Sequence, residues 1–121
     1  MNKERLLLLA EHLEKPETAE HFDLSYYFYR ASPHEDVGTS IHLCGTTACV
    51  AGHAIALFSP EYKPTPQSAF WAAVRVLDLE EETACNLFLN WDDNYSAAEA
   101  ARVVRHLAET GEVRWSRARC P

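Results

Sequence analysis

Two cysteines and two histidines with metal-binding side chains lie close together in the middle of the chain, at His42, Cys44, Cys49 and His53. In an extended run, His42 and Cys44 would point the same way, since alternate residues of a strand share a face. Cys49 and His53 would share one face of a helix. Two cysteines and two histidines can close a tetrahedral zinc site, which would stabilise a small domain.

The spacing fits zinc poorly. Ligand pairs in structural zinc sites are usually separated by a long loop, whereas only four residues separate Cys44 from Cys49. The alternative is that Cys49 is a small buried hydrophobic residue and His53 a buried imidazole bonded to a carbonyl or a carboxylate. We give this packing role more weight than a zinc cofactor.

A reactive thiol is the second chemistry that these residues suggest. If Thr46 is the N-cap of a helix, Cys49 falls in the first turn, where the helix dipole stabilises a thiolate. His42 or His53 would then serve as the base. The apolar neighbours of Cys49 instead predict a buried thiol that no substrate reaches, so an enzyme is the less favoured interpretation. A disulfide between Cys44 and Cys49 is a further alternative in an oxidising compartment.

Residues 46–58 predict the helix that would position Cys49 and His53. Its residues are apolar on all sides, which is typical of a helix in the centre of a domain. Gly52 would weaken an isolated helix by about 1 kcal/mol relative to alanine. We therefore expect Gly52 to allow the close approach of a neighbouring element.

The remaining sequence predicts an all-α fold, a single compact bundle of about five helices in one domain over residues 1–121. Capping signals place Asn2 before the first helix, Ser96 with Glu99 before the last, and Gly111 after it. The helices are expected at 2–14, 67–77, 80–89 and 97–110, with a further short helix within 19–30. The other segments are expected to be a loop at 31–38, an extended run at 40–44 and a charged C-terminal tail at 112–121.

The net charge of −7 limits the partners, because 18 acidic residues face 11 basic ones. Nucleic acid and anionic membrane are disfavoured, and a protein partner with a basic surface is favoured. The longest apolar stretch falls short of the roughly 20 residues that span a bilayer. The leucine run Leu6–Leu9 is shorter than the about 7 to 15 apolar residues of a signal peptide. We expect a cytoplasmic protein with free thiols.

The run from Cys44 to Ala54 resembles a Cys-Gly-Thr-x-Ala-Cys-x-x-Gly motif of small uncharacterised bacterial and phage proteins. In that family a Phe-Asp-aliphatic-Ser-x-aromatic segment precedes the motif, and Phe22–Tyr27 is similar to it. Residues 73–79 and 87–88 resemble the later helices. The family often has tryptophan where this chain has His53, which implies packing because tryptophan cannot bind zinc. The resemblance implies no specific activity, so we expect a binding or accessory protein that acts by protein–protein interaction.

Overall fold

The computed structural model describes residues 1–24, 26–29, 34–42, 46–63, 66–89 and 95–118. Helices dominate these ranges and confirm the all-α prediction. The α-helices are α1 (Lys3–Leu13), α2 (Val37–Ser40), α3 (Val50–Phe58), α4 (Pro66–Leu77), α5 (Glu81–Phe88) and α6 (Ala97–Thr110). Short 3₁₀ helices lie at Pro16–His21 and Trp115–Arg117. Within the described part of the chain, none of the helices is long and apolar enough to cross a membrane.

The predicted capping signals of α1 and α6 are confirmed. The Asn2 side chain accepts a hydrogen bond from the Arg5 amide at 3.1 Å. Ser96 and Glu99 form a reciprocal capping box, and Gly111 closes α6 with a φ of 80°. These contacts satisfy amide and carbonyl groups that the helix itself leaves without partners. Helices α1 and α6 then pack against each other through buried aliphatic faces.

Helix α3 occupies the core, as its composition predicts. Every residue from Val50 to Ile55 is buried, and the helix contacts α1, α2, α4 and α5. Helices α1 and α3 run antiparallel, because Arg5 lies over the ring of Phe58 while His12 contacts His53 at the other end. This packing brings histidines from distant parts of the sequence together.

The predicted start of α3 is wrong. The helix begins at Val50, Cys49 is its N-cap residue, and the preceding residues are extended. Ala48 donates to the His21 carbonyl at 2.8 Å, and Tyr29 donates to the Thr47 carbonyl at 2.7 Å. The extended segment therefore has hydrogen-bonding partners in residues 21–29, so it does not need a further helical turn to satisfy its backbone.

The expected short helix in the aromatic segment is also wrong for the described residues after 21. Phe22 forms a parallel bridge with Ala48, and Tyr29 forms an antiparallel bridge with Thr47. Phenylalanine and tyrosine favour extended backbone, and here the distant partner strengthens that preference. The aromatic segment thus pairs with the extended residues that precede α3.

Helix α2 lies where the sequence predicts a loop followed by an extended run. Tertiary hydrogen bonds hold its first turn, from the Val37 amide to Tyr62 and from the Gly38 amide to Pro60. Ser40 ends this helix and His42 lies in the turn that follows, so the extended prediction is wrong for residues 40–42. Residues 43 and 44 lie outside the described ranges.

The described part of the predicted C-terminal tail packs on the helices. The Trp115 indole donates to the Asn86 carbonyl at 2.8 Å and stacks on Tyr95. Ala118 is fully buried, and its carbonyl accepts a hydrogen bond from Arg102 at 3.0 Å. The charged segment is therefore attached to α5 and α6 as far as residue 118.

Replacing Gly52 with alanine should destabilise the fold. A Cβ atom at this position would lie 2.1 Å from the Tyr27 carbonyl oxygen, which confirms the predicted close approach. The oxygen belongs to a backbone segment that is hydrogen-bonded on both sides of Tyr27, so it cannot move away without breaking those bonds. We expect the free energy of unfolding to fall by about 1 to 3 kcal/mol in urea titrations, despite the better helix propensity of alanine.

Two variants at exposed Glu11 in α1 are the control. They measure the effect of the alanine methyl group on helix stability alone. Glu11→Ala should be more stable than Glu11→Gly by up to ~1 kcal/mol, because no neighbour opposes the added methyl group there. If Gly52→Ala is as stable as the unaltered protein, the backbone of Tyr27 does not lie against α3 as described.

Candidate functional site

Three histidines form a directed hydrogen-bonded chain between α1, α3 and the first 3₁₀ helix. His12 Nε2 lies 3.0 Å from His53 Nδ1, and His53 Nε2 lies 2.7 Å from the carbonyl oxygen of His21. A carbonyl oxygen can only accept, so His53 carries its proton on Nε2 and donates it to His21. His53 Nδ1 must then accept, and His12 donates from Nε2. The contacts thus determine the tautomer of the neutral His53 and the direction of both bonds.

Each histidine is positioned by a different local feature. His12 lies in the last turn of α1, and His53 lies in the first turn of α3. His21 ends the 3₁₀ helix, which is attached to α1 by a hydrogen bond of 2.8 Å from Thr18 Oγ1 to the His12 carbonyl. Phe22 stacks on the His53 ring, with centroids 5.9 Å apart. The antiparallel packing of α1 on α3 brings the rings of His12 and His53 within hydrogen-bonding distance.

Burial favours the neutral forms of His53 and His12. His53 is 1% exposed, and desolvation lowers its pKa to about 3. Burial also lowers the pKa of His12, and the nearby Lys15 ammonium adds to that effect. A protonated His53 would carry a second N–H facing the His12 donor, so protonation would also break their hydrogen bond.

The same reasoning leaves two imidazole nitrogens with lone pairs. His21 Nδ1 lies 2.8 Å from the Thr46 carbonyl oxygen and must donate to it, so the neutral ring has its lone pair on Nε2. His12 donates from Nε2, so its neutral ring has its lone pair on Nδ1. Both nitrogens can accept a hydrogen bond from a ligand or share the lone pair with a metal ion.

Two adjoining cavities, which we call the histidine cleft, open beside this chain. The smaller cavity, which we call the inner cavity because the buried His53 lines it, has a volume of about 90 Å³. Its lining residues are His12, Glu17, Thr18, His21, Ile41, His42 and His53. The outer cavity has a volume of about 280 Å³, shares several of these residues, and adds Lys15, Gly38, Ala56 and Leu57. The cleft is therefore lined by imidazole side chains and aliphatic walls, and the charged side chains among its described lining residues are Lys15 and Glu17.

The structure brings only part of the predicted zinc site to this cleft. His42 and His53 line the inner cavity, whereas Cys49 is buried at the N-cap of α3 and Cys44 lies outside the described residues. Both ring nitrogens of His53 already take part in the histidine chain. Among the residues described, no group of three or more His, Cys, Asp or Glu side chains is arranged to hold a metal ion. The four-residue zinc site stays a prediction.

Sequence reasoning missed His12 and His21 as cleft residues. His12 reads as an ordinary basic residue in the last turn of a helix, and His21 reads as part of an aromatic segment. Neither histidine lies close in sequence to the predicted site. Helix α1 and the first 3₁₀ helix meet α3 only through tertiary packing. The one sequence signal was His53, a polar residue in an otherwise apolar helix, which required a buried partner.

The surroundings of Cys49 act on its thiol in opposite directions. The backbone amides of Ala51 and Gly52 favour the thiolate, as expected at the start of a helix. Desolvation is the larger effect, and it raises the pKa of Cys49 to about 11. The thiol is therefore protonated and inaccessible at neutral pH, which are the properties of a packing residue.

Comparisons of this chain with protein-family models, with curated proteins and with solved structures find no match. The function must therefore be inferred from the cleft, the surface charges and the thiols.

Acid should weaken the fold through His53. In an unfolded chain histidine titrates near pH 6.5, whereas His53 in the folded protein has a pKa of about 3. Between these values the unfolded state binds a proton that the folded state does not, so the free energy of unfolding falls as the pH is lowered. Urea titrations should show a loss of ~2 kcal/mol from this residue between pH 6.5 and pH 5.

The variant His53→Gln separates this effect from other titrations. Its amide can still donate to the His21 carbonyl but takes up no proton, so its stability should depend less steeply on pH over the same interval. Equal slopes for the variant and the unaltered protein would show that His53 is not held neutral by burial.

Cys49 should react very slowly with a disulfide reagent in the native state. The variant Cys44→Ser/Cys85→Ser/Cys120→Ser leaves Cys49 as its only thiol. The increase in pKa from 9.0 to about 11 reduces the thiolate population at neutral pH by about 100-fold, and burial blocks access as well. We expect a native reaction at least ~100-fold slower than that of the urea-unfolded chain. Comparable native and unfolded rates would instead support the thiol-reactive interpretation.

Proposed function

We propose that this chain is a small binding or accessory protein of bacterial or phage origin, which acts in the cytoplasm by associating with a protein that presents a basic surface. The excess of 18 acidic over 11 basic side chains, with adjacent exposed carboxylates at the start of α5, carries this proposal. The bacterial or phage origin is supported only by the resemblance of the motif between Cys44 and Ala54.

The basic side chains support the proposal because many of them bind within the molecule. Arg102 in α6 donates to a backbone carbonyl, as does Arg5 in α1. The ion pairs are Arg105 with Glu14, Arg114 with Glu112 and Lys63 with Asp36. These cations are therefore less available to a nucleic-acid phosphate or an anionic membrane.

The acidic side chains support the proposal because several of them are exposed. Glu80, Glu81 and Glu82 are adjacent and exposed at the start of α5, where they complement the helix dipole. Further exposed carboxylates lie on other faces, at Glu4, Glu20 and Glu109. With a net charge of −7, the resulting field attracts a basic protein and speeds its association.

The two cysteines in the described part of the protein are consistent with a reducing compartment. Cys49 and Cys85 are free thiols, and no disulfide joins them. Buried Cys49 acts as a packing residue, which requires no oxidation. These two thiols support the cytoplasmic part of the proposal.

The test is a salt-dependent capture followed by reconstitution. The immobilised protein is exposed to a bacterial extract at about 50 mM and about 300 mM NaCl, a range over which screening of surface charges increases strongly. Retained proteins are identified by mass spectrometry and bound again in purified form. We expect a basic protein that is retained at low salt and released at high salt, with direct binding in the purified pair.

Two variants with matched charge show where the partner binds. Glu80→Gln/Glu81→Gln/Glu82→Gln and Glu4→Gln/Glu20→Gln/Glu109→Gln each remove three charges and change the net charge from −7 to −4. A stronger effect of the first variant would locate the partner near α5, and equal effects would indicate the overall field. Binding that neither salt nor either variant weakens would overturn the proposal, as would the absence of any directly binding protein.

A further inference from the structure

We propose that the histidine cleft is a binding site for a small aliphatic primary amine, whose ammonium group donates hydrogen bonds to His12 and His21. The proposal is independent of any protein partner, since it concerns lining residues on α1, the first 3₁₀ helix, α3 and the turn after α2. It rests on the direction of the hydrogen bonds, the aliphatic walls of the cleft and the net negative charge of the protein.

The direction of the hydrogen bonds made by His12 and His21 favours a ligand that donates hydrogen bonds. The contacts of His53 and Thr46 occupy one nitrogen each of His12 and His21 and leave lone pairs on His12 Nδ1 and His21 Nε2. A neutral imidazole nitrogen of this kind accepts hydrogen bonds, and a primary ammonium has three N–H donors. A carboxylate has none, so it would bind only after His12 takes up a proton that burial disfavours.

The apolar walls and the size of the cleft favour a ligand with a short aliphatic chain. Ile41, Ala56 and Leu57 supply the apolar lining beside the histidines. The inner cavity of about 90 Å³ has room for a small polar head group, and the outer cavity of about 280 Å³ has room for a short branched chain. Burial of that chain adds hydrophobic stabilisation to the polar contacts.

The charged groups of the cleft come from two elements. Lys15, which follows α1, would repel an ammonium ion, whereas Glu17 on the 3₁₀ helix would attract it. His42 lies in the turn after α2, and His53 on α3 is held neutral. Lys15 acts more strongly than Glu17 on His12, so the local charges do not select a cation. The hydrogen-bonding direction selects the ammonium group, and the net charge of −7 of the whole protein favours its approach.

A series of ligands with one isobutyl body tests the head group. Isobutylamine, isobutanol, isovalerate and N,N,N-trimethylisobutylammonium are titrated at pH 7.5 with EDTA, which prevents binding through trace metal. Binding is followed by the imidazole ¹⁵N resonances, and isobutylamine should bind with a dissociation constant of about 1 mM and shift His12 Nδ1 and His21 Nε2. The trimethylated cation keeps the charge but has no N–H donor, so it should bind at least about tenfold more weakly.

Rim variants test the sign of the ligand charge without altering the core. Glu17→Gln should weaken isobutylamine binding about twofold and Lys15→Gln should strengthen it about twofold, since both charges are near solvent. His12→Ala should abolish the binding. His34→Ala is the matched control, because His34 does not line the cleft and its loss should leave the affinity unchanged.

The proposal is overturned if isobutanol, isovalerate or the trimethylated cation binds as tightly as isobutylamine, or if the two rim variants act with reversed signs. It is equally overturned if isobutylamine fails to saturate, or shifts resonances elsewhere while those of His12 and His21 stay in place. These measurements on the unaltered chain and the rim variants decide the question even if His12→Ala does not fold.

Discussion

The carbonyl oxygen of His21 is the contact on which the site depends. It accepts the Ala48 amide at 2.8 Å and the His53 side chain at 2.7 Å, so both of its lone pairs are used. The first bond holds the extended segment that leads into α3, and the second determines the tautomer of a histidine on α3. One backbone atom therefore connects the start of the central helix to the chemistry of the cleft. A buried imidazole without such an acceptor would cost about 1 to 3 kcal/mol.

Features set by neighbouring residues could be predicted from the sequence. The caps at Asn2, Ser96 and Gly111 depend on side chains within one helical turn, and the apolar helix at 50–58 follows from its composition. The start of that helix could not be predicted, because Thr46 suits an N-cap and an extended strand about equally. Hydrogen bonds to residues 21–29 decide between them, and no spacing in the sequence reveals those bonds.

The cleft was less predictable than the fold for a related reason. His53 signalled a buried polar contact, but its partners lie 41 and 32 residues away, in different elements. The sequence pattern that suggested zinc grouped His53 with cysteines nearby in the sequence. In the folded protein, His53 instead contacts His12. Proximity in sequence is therefore a weak guide to which titratable groups meet in a core built by antiparallel helices.

Burial gives the core polar groups a common property despite their different chemistry. It raises the pKa of the Cys49 thiol and lowers the pKa of the His53 imidazole, because in each case the charged form loses its hydration. Both groups are neutral at pH 7. The molecule thus combines an acidic exterior, suited to electrostatic attraction over a distance, with an uncharged interior whose polar groups act through directed hydrogen bonds. Salt should therefore weaken the proposed binding of a basic protein more than the proposed binding of a small amine, because the amine depends mainly on hydrogen bonds.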